Sequence, residues 1–199
     1  MLWLGWDSDV IKGPVLQAEY VMEDEDGGTV AHEICYFDAD GHIVHQEGKH
    51  QYATPLLERV YDGDFCCKET TTDRDGKVEV ILFEKQGNKV VSQENGKTVE
   101  RVHGEGTMEV YKNGILFSRT HLNEMGQDVS IDYFDMDGEA LFTKTYEYDE
   151  SFNLVSMDGG DLLYTYEQED SHGNWTLCRI HDTRLGSDFV IRRTLTYPE

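Results

Sequence analysis

The sequence predicts an all-β fold: a single-domain antiparallel meander, an elongated sheet built from consecutive β-hairpins. Three observations carry this. Apolar and polar residues alternate at period two, as in Leu141-Phe142-Thr143-Lys144-Thr145-Tyr146-Glu147-Tyr148, the pattern of half-buried strands. Acidic turns ending in glycine separate the runs. The clearest is Tyr133-Phe134-Asp135-Met136-Asp137-Gly138, followed by Ala140-Leu141-Phe142, and Tyr36-Phe37-Asp38-Ala39-Asp40-Gly41 nearly repeats it. Glycine is common, with 19 residues, and proline rare, with 3, which suits tight turns that need positive φ.

Taken in order, residues 1–22 hold Trp3, Trp6, Ile11, Val15, Leu16, Tyr20 and Val21, read as an opening strand pair joined at Lys12-Gly13-Pro14. Asp24-Glu25-Asp26-Gly27-Gly28 is the first acidic turn. Val30 to Phe37 returns as a strand, and Ile43-Val44-His45 continues to Gly48. Residues 1–67 are the less regular part. There Thr54-Pro55-Leu56-Leu57-Glu58-Arg59-Val60 offers one candidate helical turn near 54–61, with Thr54 as cap and Pro55 in first position; a loop is the alternative. From 68 to 199 the hairpins are steady, with Asn95-Gly96 and Asn113-Gly114 as the strongest hairpin signals. The result is about twelve to fifteen short strands. Turn spacing wanders between roughly 9 and 20 residues, so no strict solenoid period exists. No linker divides the chain.

The 199 residues carry a net charge of −23, spread evenly: residues 1–100 have 21 acids and 9 bases, and residues 101–199 have 19 and 8. Nucleic acid is excluded as a partner, because phosphate contacts need clustered Lys and Arg. An acidic membrane surface is disfavoured for the same reason, and no stretch approaches eighteen apolar residues. A basic protein partner fits the charge. The four cysteines, Cys35, Cys66, Cys67 and Cys178, read as reduced, partly buried small hydrophobes. With no signal-peptide pattern at Met1-Leu2-Trp3-Leu4-Gly5-Trp6-Asp7, the expected location is cytoplasmic.

Tyr146-Glu147-Tyr148-Asp149 with Asn153-Leu154, and Tyr164-Thr165-Tyr166-Glu167 leading to His172-Gly173-Asn174-Trp175-Thr176, resemble YD repeats of the Rhs type. The Tyr-Phe-Asp-x-Asp-Gly units resemble the repeats of YwqK-type antitoxin components. The likeness covers residues 105–199 well and 20–100 loosely. It implies a bacterial hairpin-built sheet of the kind found near toxin–immunity loci, and it brings no catalytic residues. A true Rhs cocoon is far longer, and this chain reads as too short to enclose a cavity.

No placed catalytic or cofactor motif emerges. Aligning Gly41, Gly76 or Gly138 to an EF-hand loop puts Tyr36, Thr71 or Tyr133 where the first Asp belongs, leaving weak cation binding in the acidic turns as the open alternative. His42, His45 and His50 cluster near Glu47, but His42 and His45 point to opposite faces of a strand. Cys66 or Cys67 lacks a placed partner, and Gly159-Gly160 lacks the Lys and helix of a phosphate loop. No cofactor and no metal site is expected.

The function that follows is a non-enzymatic acidic binding protein, immunity- or antitoxin-like, occluding a basic toxin or effector. The alternatives are a structural or surface repeat module and a hydrolase with an unrecognised site. Residues 105–170 carry sixteen acids against Lys112, Arg119 and Lys144. Within them Asp132, Asp135, Asp137, Glu147 and Asp149 would steer the partner, and Tyr146 and Tyr148 would anchor it.

Overall fold

The computed structural model describes residues 11–48 and 56–199. Trp3 and Trp6 of the expected opening strand, His50, and the Thr54-Pro55 start of the candidate helical turn lie outside them. Sixteen strands follow one another: β1 (Gln17–Asp24), β2 (Thr29–Phe37), β3 (Ile43–Gly48), β4 (Leu56–Asp62), β5 (Phe65–Thr72), β6 (Val78–Gln86), β7 (Lys89–Glu94), β8 (Lys97–Gly104), β9 (Thr107–Lys112), β10 (Ile115–Leu122), β11 (Asp128–Phe134), β12 (Ala140–Tyr148), β13 (Leu154–Met157), β14 (Leu162–Glu169), β15 (Trp175–Asp182) and β16 (Ser187–Thr196). Each pairs antiparallel with its sequence neighbours. The all-β antiparallel meander is therefore the fold, and residues 56–62 are strand rather than helix.

The expectation of an open elongated sheet is corrected at the ends. β1 pairs with β16 over eight residues, from Gln17 opposite Thr196 to Asp24 opposite Phe189, and the meander closes into a barrel. The chain is long enough to enclose an interior, because short strands spend few residues per turn of wall. Closure pairs the polar backbone rows that an open sheet leaves at both edges.

Two turn chemistries recur in the wall. Seven connections share one five-residue form, starting at Asp24, Asp38, Asp73, Asn123, Asp135, Asp149 and Asp170. In each, the first side chain accepts the backbone N–H groups of the third and fifth residues. The fourth residue has positive φ. It is glycine in six and Phe152, at φ 64°, in the seventh. The recurring Asp-x-x-Gly thus exists because a short carboxylate closes the turn and glycine enters the left-handed region without a Cβ clash. The second form is the two-residue Asn-Gly turn, with φ 50° and 74° at Asn95 and Gly96, and 52° and 79° at Asn113 and Gly114. Positive φ at both positions matches the twist of paired strands.

The registers carry one face continuously around the barrel. Ala18 stands opposite Cys35, Cys35 opposite Gln46, Gln46 opposite Leu57 and Leu57 opposite Thr71. Further on, Ser92 faces Val99, Thr120 faces Ile131, Tyr146 faces Met157, and Cys178 faces Ile191. Nearly all buried strand residues fall on this face, which is the inside. Its packed core is one-sided, formed by Ala18, Tyr20, Met22, Ala31, Cys35, Tyr146, Met157, Leu162, Trp175, Cys178, Ile180 and Ile191. These come from β1, β2 and β12–β16.

Candidate functional site

The inner face changes character across the barrel. Along β4–β8 most inward side chains are half-buried, and a group of them lines an open hollow of about 430 Å³. That volume lies within the range of small-molecule sites. Its apolar wall is Phe65, Ile81, Phe83 and Val90, with Tyr61 and Cys66 beside them.

Charge in the hollow is held in place by neighbours. Arg59 Nε donates to Glu69 Oε2 at 3.0 Å across the β4–β5 pair. Arg101 donates from two guanidinium nitrogens, to Glu94 at 2.8 Å and to Ser92 Oγ at 3.2 Å. Ser92 in turn donates to Glu94 at 2.6 Å. The Arg101 guanidinium lies 5.5 Å from the Phe83 ring centroid, and the Lys85 ammonium 5.8 Å from that of Phe65. Cations over ring faces are attracted by the ring quadrupole, and they leave part of their charge facing the space. Burial pushes the Cys66 thiol up from its ordinary value. Its Sγ donates to the Lys68 carbonyl at 3.5 Å, so the thiolate form is disfavoured.

The outer face is polar. Arg192 pairs with Glu23 at 3.3 Å, Lys89 with Glu100 at 2.7 Å, Arg119 with Glu109 at 2.8 Å and Arg179 with Glu167 at 2.6 Å. Aliphatic residues appear there mainly on β4 and β6, where Val60, Val78, Val80 and Leu82 are at least half exposed.

The residues singled out for partner binding occupy four different settings. Tyr146 points inward and is 8% exposed. Tyr148 also points inward and donates to the Asp128 carbonyl at 3.0 Å. Asp132 lies outside, accepting Thr143 Oγ1 at 2.7 Å and facing His121 at 3.4 Å. Glu147 is on the outer side of β12. Asp135 and Asp137 sit in the β11–β12 turn at one end of the barrel, and Asp149 in the β12–β13 turn at the other. Asp38, Asp40 and His42 bring ligand-type atoms within 4.8 Å of one another. Asp38 already accepts the N–H groups of Asp40 and His42 there and contacts the His42 ring at 3.2 Å. Sequence reading passed over the hollow residues. Arg59, Glu69, Glu94 and Arg101 stand at alternate strand positions like any surface charge, and only closure turns them inward.

No family model matches the chain, and no curated protein does. Among solved structures, it is similar to a porin-like protein from Bacteroides uniformis. The TM-score is 0.51 and the identity 14%, over 94% of this chain and 99% of that one. Two further matches are a putative outer membrane lipoprotein-sorting protein domain from Vibrio parahaemolyticus (TM-score 0.31, 9% identity, 92% and 84% covered) and a DUF1329 family protein from Desulfovibrio piger (TM-score 0.32, 15% identity, 92% and 86% covered). The first match shows a shared barrel fold.

These findings correct the resemblance to YD, Rhs and YwqK-type repeats. The repeated units are the turns of a closed barrel, and the matched fold is porin-like. The immunity or antitoxin function built on that resemblance falls with it. So does the cytoplasmic location, since the solved relative that shares the fold is porin-like. What the repeats record is turn chemistry, which recurs in any hairpin array.

Proposed function

We propose that the chain is a water-exposed, non-enzymatic barrel of the cell envelope that holds a small ligand in the hollow between β4 and β8. The observation that carries this reading is the direction of the alternation. A membrane barrel turns apolar residues to lipid and polar residues to its lumen. Here the charged pairs Arg192–Glu23, Lys89–Glu100, Arg119–Glu109 and Arg179–Glu167 face out, and the packed apolar cluster faces in. Each Lys or Arg facing lipid at mid-depth would cost about 2–4 kcal/mol. The strands run from 4 to 10 residues, mostly below the length a tilted spanning strand needs. The porin-like relative supports an envelope location, and the outer face supports a place outside the bilayer.

Two features favour binding over catalysis. The hollow combines an apolar wall with a few oriented charges, the usual make-up of a ligand site. Its one thiol is neutral and hydrogen-bonded. The test is purification without detergent, followed by titration with N-phenyl-1-naphthylamine, whose emission rises in apolar sites. Saturable uptake that is abolished by Ile81→Trp, which fills the hollow, is the expected result. A requirement for detergent, or uptake indifferent to Ile81→Trp, would overturn the reading.

A further inference from the structure

The hollow's own lining balances Arg59 and Arg101 against Glu69 and Glu94, but the charge on the inner face beside it runs against the charge of the chain. The registers place Lys85, Lys97, Arg101 and Lys112 on the inner face of β6–β9, against Glu79 and Glu94. That is four bases to two acids, a surplus of two positive charges, in a chain of net charge −23. Arg101 stands opposite Val110, and Val99 opposite Lys112, so Arg101 and Lys112 are diagonal neighbours on one face. Burial, with repulsion from Lys97 and Arg101, outweighs the attraction of Glu94 and holds the Lys112 ammonium below its ordinary pKa. Among the described residues, neither Lys85 nor Lys112 has a carboxylate in ion-pair range. Each lies instead against a phenylalanine, Lys85 against Phe65 at 5.8 Å and Lys112 against Phe117 at 3.2 Å.

An apolar trough with the Arg101–Glu94 pair in its wall and two cations without an ion-pair partner, Lys85 and Lys112, beside it is complementary to a molecule with an apolar body and an anionic end. A bare anion would leave Phe65, Ile81, Phe83 and Val90 wet. A neutral apolar molecule would leave Lys85 and Lys112 without a counter-charge. A cationic amphiphile would add to the repulsion already felt at Lys112.

We propose that the hollow binds a single-chain anionic amphiphile, its tail along Phe65, Ile81, Phe83 and Val90 and its oxyanion between Arg101 and Lys112. This rests on the reading of the hollow as a ligand site. The carboxylate of a fatty acid and the phosphate of a monoalkyl phosphate share the required chemistry.

The experiment is displacement of bound N-phenyl-1-naphthylamine from the full chain by dodecanoate, dodecyl phosphate, dodecanol, dodecylammonium and inorganic phosphate. Each is used below its aggregation concentration. Dodecanoate or dodecyl phosphate is expected to displace the probe at least tenfold more tightly than dodecanol or dodecylammonium, and inorganic phosphate not at all. Whichever of the two anions is tighter identifies the head group. Lys112→Gln is expected to remove most of that tenfold preference and leave dodecanol unchanged. Lys85→Gln, at an exposed position, is expected to weaken it severalfold. Equal displacement by dodecanoate and dodecanol would overturn the inference while leaving the ligand-site reading intact. Displacement by inorganic phosphate alone would overturn the amphiphile. Failure of the probe to bind at all would sink the ligand-site reading itself.

Discussion

Arg193 lays its guanidinium 3.9 Å from the Trp175 ring centroid and donates from Nε to the Trp175 carbonyl at 2.8 Å. Both side chains are buried, and Tyr20 stands opposite Arg193 across the closing pair of strands. The contact joins β15 to β16 beside the seam with β1. Trp175→Ala is expected to destabilise the barrel by about 3–5 kcal/mol. Arg193→Ala should cost roughly 2–3 kcal/mol through lost packing and a lost charge-assisted bond. Urea unfolding measures both. A cost below that of an ordinary surface substitution would deny the seam its importance.

Inside and outside can be told apart on adjacent residues. Leu82 is 65% exposed on the outer face of β6, so Leu82→Lys is expected to change stability by less than about 0.5 kcal/mol. Val99, 2% exposed on the inner face of β8, should not accept Lys. Ile180→Ala on the packed side is expected to cost about 2–5 kcal/mol. A register one residue off would exchange the two outcomes on each strand.

Phe152 occupies the left-handed position that glycine holds in the six sister turns, at φ 64°. An L-residue pays about 1–2 kcal/mol there. Phe152→Gly is expected to stabilise the protein, by about 0.5–1 kcal/mol after the added freedom of the unfolded chain is subtracted. A melting temperature that falls would show that the Phe152 ring contributes more than its backbone costs.

Alkaline stability follows from the inward tyrosines. Burial, followed by the nearby Asp128 charge, pushes Tyr148 up to about 12, and burial raises Tyr146 and Tyr164 further. An unfolded tyrosine ionises near about 10. Between those values the folded state holds protons that the unfolded state releases, so stability is full below about pH 10 and falls as pH rises toward 12. Tyrosinate absorbance should appear in two waves, the second coinciding with loss of the barrel. A single wave near pH 10 with the fold intact would contradict the burial of these rings.

Acid acts on the turns. At Asp170, burial works against the charge, but Tyr197 and the N–H groups of Asn174 and His172 outweigh it and hold the carboxyl below its ordinary value. Asp38 is lowered in the same way by bonds from His42 and Asp40. Their stabilisation is present above the unfolded pKa of about 3.9 and is lost as pH falls through the lower folded values. Asp170→Asn keeps the turn geometry and should flatten the decline in melting temperature between about pH 4 and pH 2. An unchanged decline would place the acid sensitivity elsewhere.

The strands and turns were legible because their causes are local. Tyr36 to Gly41 and Tyr133 to Gly138 announce their turns through the residues that make them. Closure was not legible, since it depends on Gln17 meeting Thr196 and no neighbouring residue records that pairing. The hollow was hidden for the same reason. Arg59 and Arg101 read as solvated charges until the wall curves round them, and Tyr146 and Tyr148 read equally well on either face. Period two states that two faces exist and leaves open which one is covered.

The pairing of β1 with β16 also has a consequence in time. During synthesis the N-terminal strands emerge first, and β2 onward can add hairpin by hairpin as each turn appears. One edge of β1 stays open until its partner, Ser187–Thr196, is made, after the other strands described. The nascent chain therefore carries an uncapped strand edge until Ser187–Thr196 has left the ribosome. Glu19, Glu23 and Asp24 lie along that edge. Charged side chains along an open edge disfavour pairing with another chain, a hazard that ends when Thr196 reaches Gln17.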